Sequence, residues 1–217
     1  MPIQALIFDM DGVLVDSEPL HLEAYSRYIA SHGKPYGKSH NSQFLGRKDT
    51  EIAPLIIEQF ELRISPEELI KGKDEIFFSL VRDQARPMPG SREVLCEAKK
   101  SGLKVALASS SKTSAIELIV GCLEIGHFFD HLVSGDEVPH GKPAPDIFTL
   151  TSKRLSVPAA ECLVIEDTEN GVRAAKSAGM LCLAVPCEAT SHQDHSMADW
   201  KLASLKDFDL ASLISDA

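Results

Sequence analysis

The chain has 217 residues, of which 44% are hydrophobic and 25% charged, values that suit one large globular domain or one domain with a small companion and exclude a disordered or fibrous chain. The formal net charge of −10 disfavours a nucleic-acid surface, so an anionic ligand must be held by local positive charge.

The first element is the apolar run Ala5-Leu6-Ile7-Phe8, followed by Asp9-Met10-Asp11-Gly12. A short apolar run bounded by acidic residues and glycine predicts a buried parallel strand. Its last carboxylates then emerge at the carboxyl end of the sheet, where open α/β sheets bind ligands. From Ser17 to about Ser31, Leu20, Tyr25, Tyr28 and Ile29 recur with helical spacing, and Ser31-His32-Gly33 ends the pattern. Thr50 to Phe60, Pro66 to Lys71 and Asp74 to Arg86 read as further amphipathic helices. Roughly seventy residues of helix before a second strand are too many for a crossover connection and predict an inserted helical domain. The Pro/Gly-rich passage Arg86-Pro87-Met88-Pro89-Gly90 marks the return.

A regular alternation follows. Ser91 to Lys100 is a predicted helix, Lys104 to Ala108 a strand, Lys112 to about Cys122 a helix, and His131 to Val133 a short strand. Pro145 to Leu155 is a helix with proline in its first turn, Cys162 to Ile165 a strand, Asn170 to Ala178 a helix stopped by Gly179, and Leu181 to Val185 a strand. In the tail, Thr190 to Met197 reads as loop or short helix, Trp200 to Leu202 as an edge strand, and Leu205 to Ile214 as a helix. Strands alternating with helices imply parallel topology.

The strand ends carry polar clusters. Asp9 and Asp11, two residues apart, fall on one side of an extended chain, so one can attack while the other handles protons. Ser109-Ser110-Ser111 offers hydroxyl and backbone donors to phosphate oxygens, with Ser109 the leading contact, unless the serines only cap the next helix. In Gly141-Lys142-Pro143-Ala144-Pro145-Asp146 two prolines stiffen a loop that carries one ammonium. A fixed positive charge offsets the repulsion between a carboxylate nucleophile and a phosphate dianion. Glu166-Asp167 adds two carboxylates, unless Asp167 or Thr168 merely caps a helix. Four carboxylates at one sheet edge need a counter-ion, and hard oxygen donors point to Mg²⁺. His192-Gln193-Asp194-His195 has superficially metal-like spacing but reads as a solvated loop. The five cysteines, Cys96, Cys122, Cys162, Cys182 and Cys187, are odd in number and lack zinc-ligand spacing, which predicts reduced thiols. No basic leader opens the chain at Met1-Pro2-Ile3-Gln4 and no run reaches membrane-spanning length. A cytoplasmic monomer without membrane or nucleic-acid partners is expected.

Taken together, Asp9-Met10-Asp11-Gly12-Val13, Ser109, Lys142 and Glu166-Asp167, in this order at strand ends, resemble the four motifs of the haloacid dehalogenase-like superfamily, in the branch with a helical cap inserted after the first motif. The resemblance implies a Rossmann-like α/β core of residues 1–15 and 87–217 with a parallel sheet, and an inserted α-helical cap of residues 16–86. It implies that Asp9 is the nucleophile, Asp11 the general acid and base, and that Ser109, Ser110 and Lys142 hold the phosphoryl group, Lys142 being counted with Asp9 and Asp11 in the catalytic set. Mg²⁺ would be bound by Asp9, Asp167 and the Asp11 backbone carbonyl, with Glu166 acting directly or through water.

Dehalogenases of the superfamily need neither metal nor the second aspartate, so Asp11 and Glu166-Asp167 favour phosphoryl transfer. Asp16-Ser17-Glu18-Pro19-Leu20-His21 and Lys142-Pro143-Ala144-Pro145-Asp146 resemble both β-phosphoglucomutase and sugar-phosphate phosphatases. The cap loop reads Leu45-Gly46-Arg47-Lys48-Asp49, whereas the mutase places its arginine farther from the glycine. A phosphatase of a small phosphorylated metabolite, with a sugar phosphate foremost, is therefore expected. A mutase-type phosphotransferase is the alternative, and a non-catalytic metabolite-binding regulator a third reading. Arg47 and Lys73 are candidates for gripping the far end of the substrate, unless both are solvated surface cations. His21 is a candidate near the cap hinge.

Overall fold

The protein is described here from a computed structural model covering residues 3–211. Six parallel strands form one sheet in the order β3-β2-β1-β4-β5-β6. The elements run β1 (Ala5–Phe8), α1 (Glu18–Ser31), α2 (Lys38–Asn41), α3 (Asp49–Phe60), α4 (Pro66–Gln84), α5 (Ser91–Lys100), β2 (Lys104–Ser109), α6 (Thr113–Cys122), β3 (His131–Ser134), α7 (Asp146–Leu155), β4 (Cys162–Glu166), α8 (Glu169–Ser177), β5 (Leu181–Ala184) and β6 (Trp200–Lys201). This is the Rossmann-like α/β architecture, with helices on both faces of the sheet.

Alternation along the central strand assigns side chains to two cores. Leu6 and Phe8 pack with Leu107, Leu163 and Ile165 on one face, while Ala5 and Ile7 pack with Ala106, Ala108 and Val164 on the other. Register then aligns the strand ends. Phe8 lies opposite Leu107 on one side and Ile165 on the other, and Ser109 lies opposite Ser134. Asp9, Ser109 and Glu166 therefore leave three adjacent strands at the same edge.

Beyond Asp11 the chain turns, and its outgoing and returning segments run side by side. Val15 bridges Pro87, Asp16 N–H donates to the Arg86 carbonyl at 2.9 Å, and Met88 N–H donates to the Leu14 carbonyl at 2.9 Å. The helices between them have a cluster of their own, including Tyr25, Ile29, Ile52, Ile56, Phe60 and Leu69. Leu20, Ala24, Phe77 and Leu80 instead join the core against the sheet.

Two local expectations change. Pro66–Lys71 and Asp74–Arg86 are one continuous helix, because Gly72 does not stop α4. A Cβ built there would lie 1.8 Å from Tyr28 Cε2, so the missing side chain serves the close approach of α4 to α1. At the tail, Leu205–Asp207 forms a 3₁₀ turn and helix begins only at Leu210, and the part of the expected helix beyond residue 211 lies outside the described residues. Trp200–Lys201 pairs in parallel with β5 at the sheet edge, as anticipated.

Candidate active site

A cavity of about 330 Å³ opens over the carboxyl ends of β2, β1 and β4. Asp9, Asp11, Ser109, Ser110, Lys142 and Glu166 line its sheet side, and Tyr25, Asn41, Arg47, Lys48 and Asp49 line the side formed by the helical segment.

Lys142 is 2% exposed, so its ammonium is enclosed in the site and not solvated on the loop. Its Nζ donates to Asp9 Oδ1 and to Glu166 Oε1, both at 2.6 Å, and to the Ala108 carbonyl at 3.3 Å. Burial alone would lower the ammonium's pKa, but the charges of Asp9 and then Glu166 outweigh it and hold the group above its ordinary value. The other Glu166 oxygen accepts from Asp167 N–H and Thr168 N–H, each at 2.9 Å, and from Thr168 Oγ1 at 3.0 Å. Gly171 makes room for that carboxylate, since a Cβ there would fall 1.8 Å from Glu166 Oε1. Thr168 caps α8 by accepting from Gly171 N–H at 3.0 Å, which leaves the Asp167 side chain uninvolved in capping.

Oxygens of Asp9, Glu166 and Asp167 lie within 4.8 Å of one another, and all three residues are buried. Burial, then the charges of Glu166 and Asp11, push the Asp9 carboxyl up to about 8 against the pull of Lys142. Burial and the Glu166 charge also raise Asp167 well above the carboxylate range. Asp167 Oδ1 is buried and has no hydrogen-bond partner. A buried carboxyl oxygen without a partner is costly, and a cation beside it would both satisfy it and favour the ionised form. Three hard oxygen donors with one unsatisfied atom fit a divalent cation of the Mg²⁺ type.

The Asp11 side chain stands apart from that group. Oδ1 accepts a short hydrogen bond from Ser17 Oγ, Oδ2 accepts from Ser111 Oγ at 3.0 Å and Ser109 Oγ at 3.4 Å, and His21 Nε2 lies 3.5 Å from Oδ1. Burial raises this carboxyl, yet His21, Ser17 and Ser111 together hold it below its ordinary value. His21 is raised in turn, its own burial overcome by the bond to Asp11, and its ring stacks on Phe77 at 4.0 Å. Each partner thus favours the charged form of the other.

Of these partners, sequence reasoning misses Ser17 and offers Ser111 only within the phosphate-facing cluster Ser109-Ser110-Ser111. Ser17 reads as a helix cap but makes no side-chain cap bond, and its hydroxyl goes to Asp11 instead. The serines after β2 likewise do not cap α6. Thr113 N–H is taken by Asp136 Oδ2 at 3.0 Å, and Ser109 Oγ accepts from Ser111 N–H at 3.1 Å. Ser110 Oγ donates to the Gly46 carbonyl at 3.2 Å, tying the β2 loop to the helical segment.

Arg47 lines the cavity with its guanidinium 3.7 Å from Glu51. Lys73 is 1% exposed, pairs with Asp49 at 2.5 Å and Asp74 at 3.0 Å, and is absent from the cavity wall; it is not a solvated surface cation. His195 corrects the solvated-loop reading of residues 192–195, being 4% exposed with Nε2 2.7 Å from the Asp167 carbonyl oxygen.

A parallel sheet that gathers carboxylates, one ammonium and several hydroxyls beneath a small cavity has the donor set of a phosphoryl-transfer enzyme. The chain belongs to the haloacid dehalogenase-like hydrolase family, whose model matches residues 3–179. It is 40% identical over 183 residues to the phosphorylated carbohydrates phosphatase of Thermotoga maritima, a match covering 82% of each chain. Its fold superimposes on CbbY from Rhodobacter sphaeroides, in complex with phosphate, with a TM-score of 0.88 and 28% identity over 94% of this chain and 96% of that one. It also superimposes on β-phosphoglucomutase from Clostridium difficile, with a TM-score of 0.85 and 25% identity over 97% and 95% of the two chains. No helix among the described residues is long and apolar enough to cross a membrane.

Proposed function

We propose that the protein is a Mg²⁺-dependent phosphatase of a small phosphorylated carbohydrate, acting through an aspartyl-phosphate on Asp9. The observation that carries this reading is the Asp9 carboxylate held between the Lys142 ammonium and two further carboxylates at the floor of the cavity. In this reading residues 1–15 and 87–217 are the catalytic core and residues 16–86 the cap. It acts as a monomer in the cytoplasm, a reducing compartment that suits its five unpaired cysteines.

Asp9 attacks phosphorus, the phosphorus–oxygen ester bond breaks, and Asp11 delivers a proton to the departing alkoxide. Asp11 then takes a proton from water as that water attacks the phosphoaspartate, releasing phosphate and restoring Asp9. Ser109, Ser110 and Lys142 hold the phosphoryl oxygens, and His21 flanks Asp11 with Nε2 3.5 Å from its carboxylate. Asp9, Asp167 and the Asp11 carbonyl would hold Mg²⁺, which would supply charge neutralisation of the phosphoryl group. Glu166 would complete the acidic group around the cation, while its oxygens accept from Lys142 and from three donors of residues 167–168.

This division of labour is tested by the leaving group. Asp11→Asn is expected to lower hydrolysis of an alkyl phosphate by about a hundredfold or more, the usual scale of general acid catalysis, and of an aryl phosphate markedly less. Equal losses on both substrates would remove Asp11 from the acid role.

The likeness to β-phosphoglucomutase keeps a mutase as the second reading. A mutase must grip a second phosphate, yet the cations lining this cavity are already engaged. Arg47 faces Glu51, Lys48 donates to the Val138 carbonyl at 2.7 Å, Lys112 pairs with Asp74, and His21 and Lys142 face carboxylates. Water is therefore the expected acceptor. With β-glucose 1-phosphate, a trace of glucose 1,6-bisphosphate and Mg²⁺, little glucose 6-phosphate is expected, while a screen of phosphosugars is expected to find steady phosphate release. Fast isomerisation with negligible phosphate would establish the mutase, and Arg47→Ala would then impair it.

A further inference from the structure

The loop that follows β5 takes no part in the steps above, yet it closes on one carboxylate. Thr190 is fully buried, and its hydroxyl accepts from Cys187 N–H at 3.1 Å and donates to Asp167 Oδ2 at 3.1 Å. The Cys187 thiol lies 3.4 Å from the same oxygen. His195 Nε2 meets the Asp167 main-chain carbonyl at 2.7 Å, and because a carbonyl only accepts, Nε2 carries the proton. Gly12 completes the enclosure, since a Cβ there would fall 2.3 Å from Asp167 Oδ2. One oxygen of Asp167 is thus bonded within the protein while Oδ1 is left buried and unpartnered.

We infer that Thr190 is a positioning residue for metal binding: its hydroxyl locks Asp167 so that Oδ1 stays turned to the cation. The inference rests on the Mg²⁺-dependent reading given above. A carboxylate rotates about its last bond, and two equivalent oxygens offer no orientation by themselves. A hydroxyl proton held on one oxygen breaks that equivalence and removes the rotational freedom that cation binding would otherwise have to suppress. The Cys187 thiol is a weak donor, so it supports the lock without replacing it. Partners of this outer kind ordinarily change metal affinity about 10- to 100-fold.

The test is calorimetric titration of the full-length protein with Mg²⁺, without substrate, for the wild type, Asp167→Asn, Thr190→Val, Thr190→Ala and Thr190→Ser. Asp167→Asn is expected to lose binding. Thr190→Val and Thr190→Ala, both without the hydroxyl, are expected to bind at least about tenfold more weakly, and Thr190→Ser within about threefold of wild type. Phosphate release by Thr190→Val should recover as Mg²⁺ is raised, which a merely misfolded variant would not do. Wild-type affinity in either hydroxyl-free variant overturns the inference. So does failure of both to fold while Thr190→Ser folds, since the hydroxyl would then be structural only. Absence of Mg²⁺ binding by the wild type itself would instead overturn the metal-dependent reading from which the inference starts.

Discussion

Asp9→Asn is expected to abolish Mg²⁺-dependent phosphate release, by at least about a thousandfold, while the protein remains folded. An amide is a poor nucleophile toward phosphorus and withdraws one charge from the three-carboxylate group. The fold survives because Lys142 keeps Glu166 and the Ala108 carbonyl as partners. Substantial turnover in this variant would displace Asp9 from its role. The variant also carries a stability signature. In the cation-free protein Asp9 holds its proton up to about pH 8, whereas the unfolded chain releases it near the ordinary 3.8. The folded state therefore binds more protons over that window, and the stability this group contributes is full below it and lost as pH rises through it. Urea titrations from pH 4 to pH 8 without Mg²⁺ should show stability falling with pH, and falling less in Asp9→Asn. The slope is expected to shrink rather than vanish, because Asp167 is displaced in the same direction.

Lys142→Met is expected to lose both activity and stability. The substitution keeps much of the side-chain volume but removes the only ammonium between Asp9 and Glu166, which then face one another in a buried site. Removing one partner from a buried ion pair typically costs about 3–5 kcal/mol, because the remaining charge is left without compensation. The deficit relative to wild type should be smaller at pH 5 than at pH 8, since protonating a carboxylate relieves the repulsion. Lys142→Arg is not expected to rescue either property. The ammonium is enclosed by two acceptors at 2.6 Å and the Phe148 ring at 4.9 Å, a space suited to a compact charge and not to a planar fork. Equilibrium unfolding and phosphate release measured on the same preparations decide it, and near-wild-type values for both would refute the bridging role.

The helical segment of residues 18–84 is tied to the sheet edge. Ser110 reaches the Gly46 carbonyl, Lys48 reaches Val138, and Lys112 at the start of α6 pairs with Asp74 of α4. These bonds join the helical segment to the loops at the sheet edge, so the cavity is walled by both. At about 330 Å³ it lies at the small end of ligand pockets, in keeping with a small phosphorylated carbohydrate.

The sequence by itself determined the alternation of strands and helices and placed Asp9, Ser109 and Glu166-Asp167 where β1, β2 and β4 stop, with Lys142 in the loop before α7. Those features are local: an apolar run of four to six residues, a helical period, or a polar cluster where a strand stops can be read without knowing what lies opposite. Only the tertiary structure decided which of these groups touch. That Lys142 is buried between Asp9 and Glu166 depends on contacts spanning 133 and 24 residues, and that Thr190 holds Asp167 on one spanning 23. Ser17 opens the first helical pattern and serves Asp11, Lys73 reads as a substrate grip or a surface cation and is buried between aspartates, and the two helices expected over 66–71 and 74–86 are one. In each case the residue type permits either role, and packing against a partner distant in sequence selects one, because a buried polar group must find its complement wherever the fold provides it.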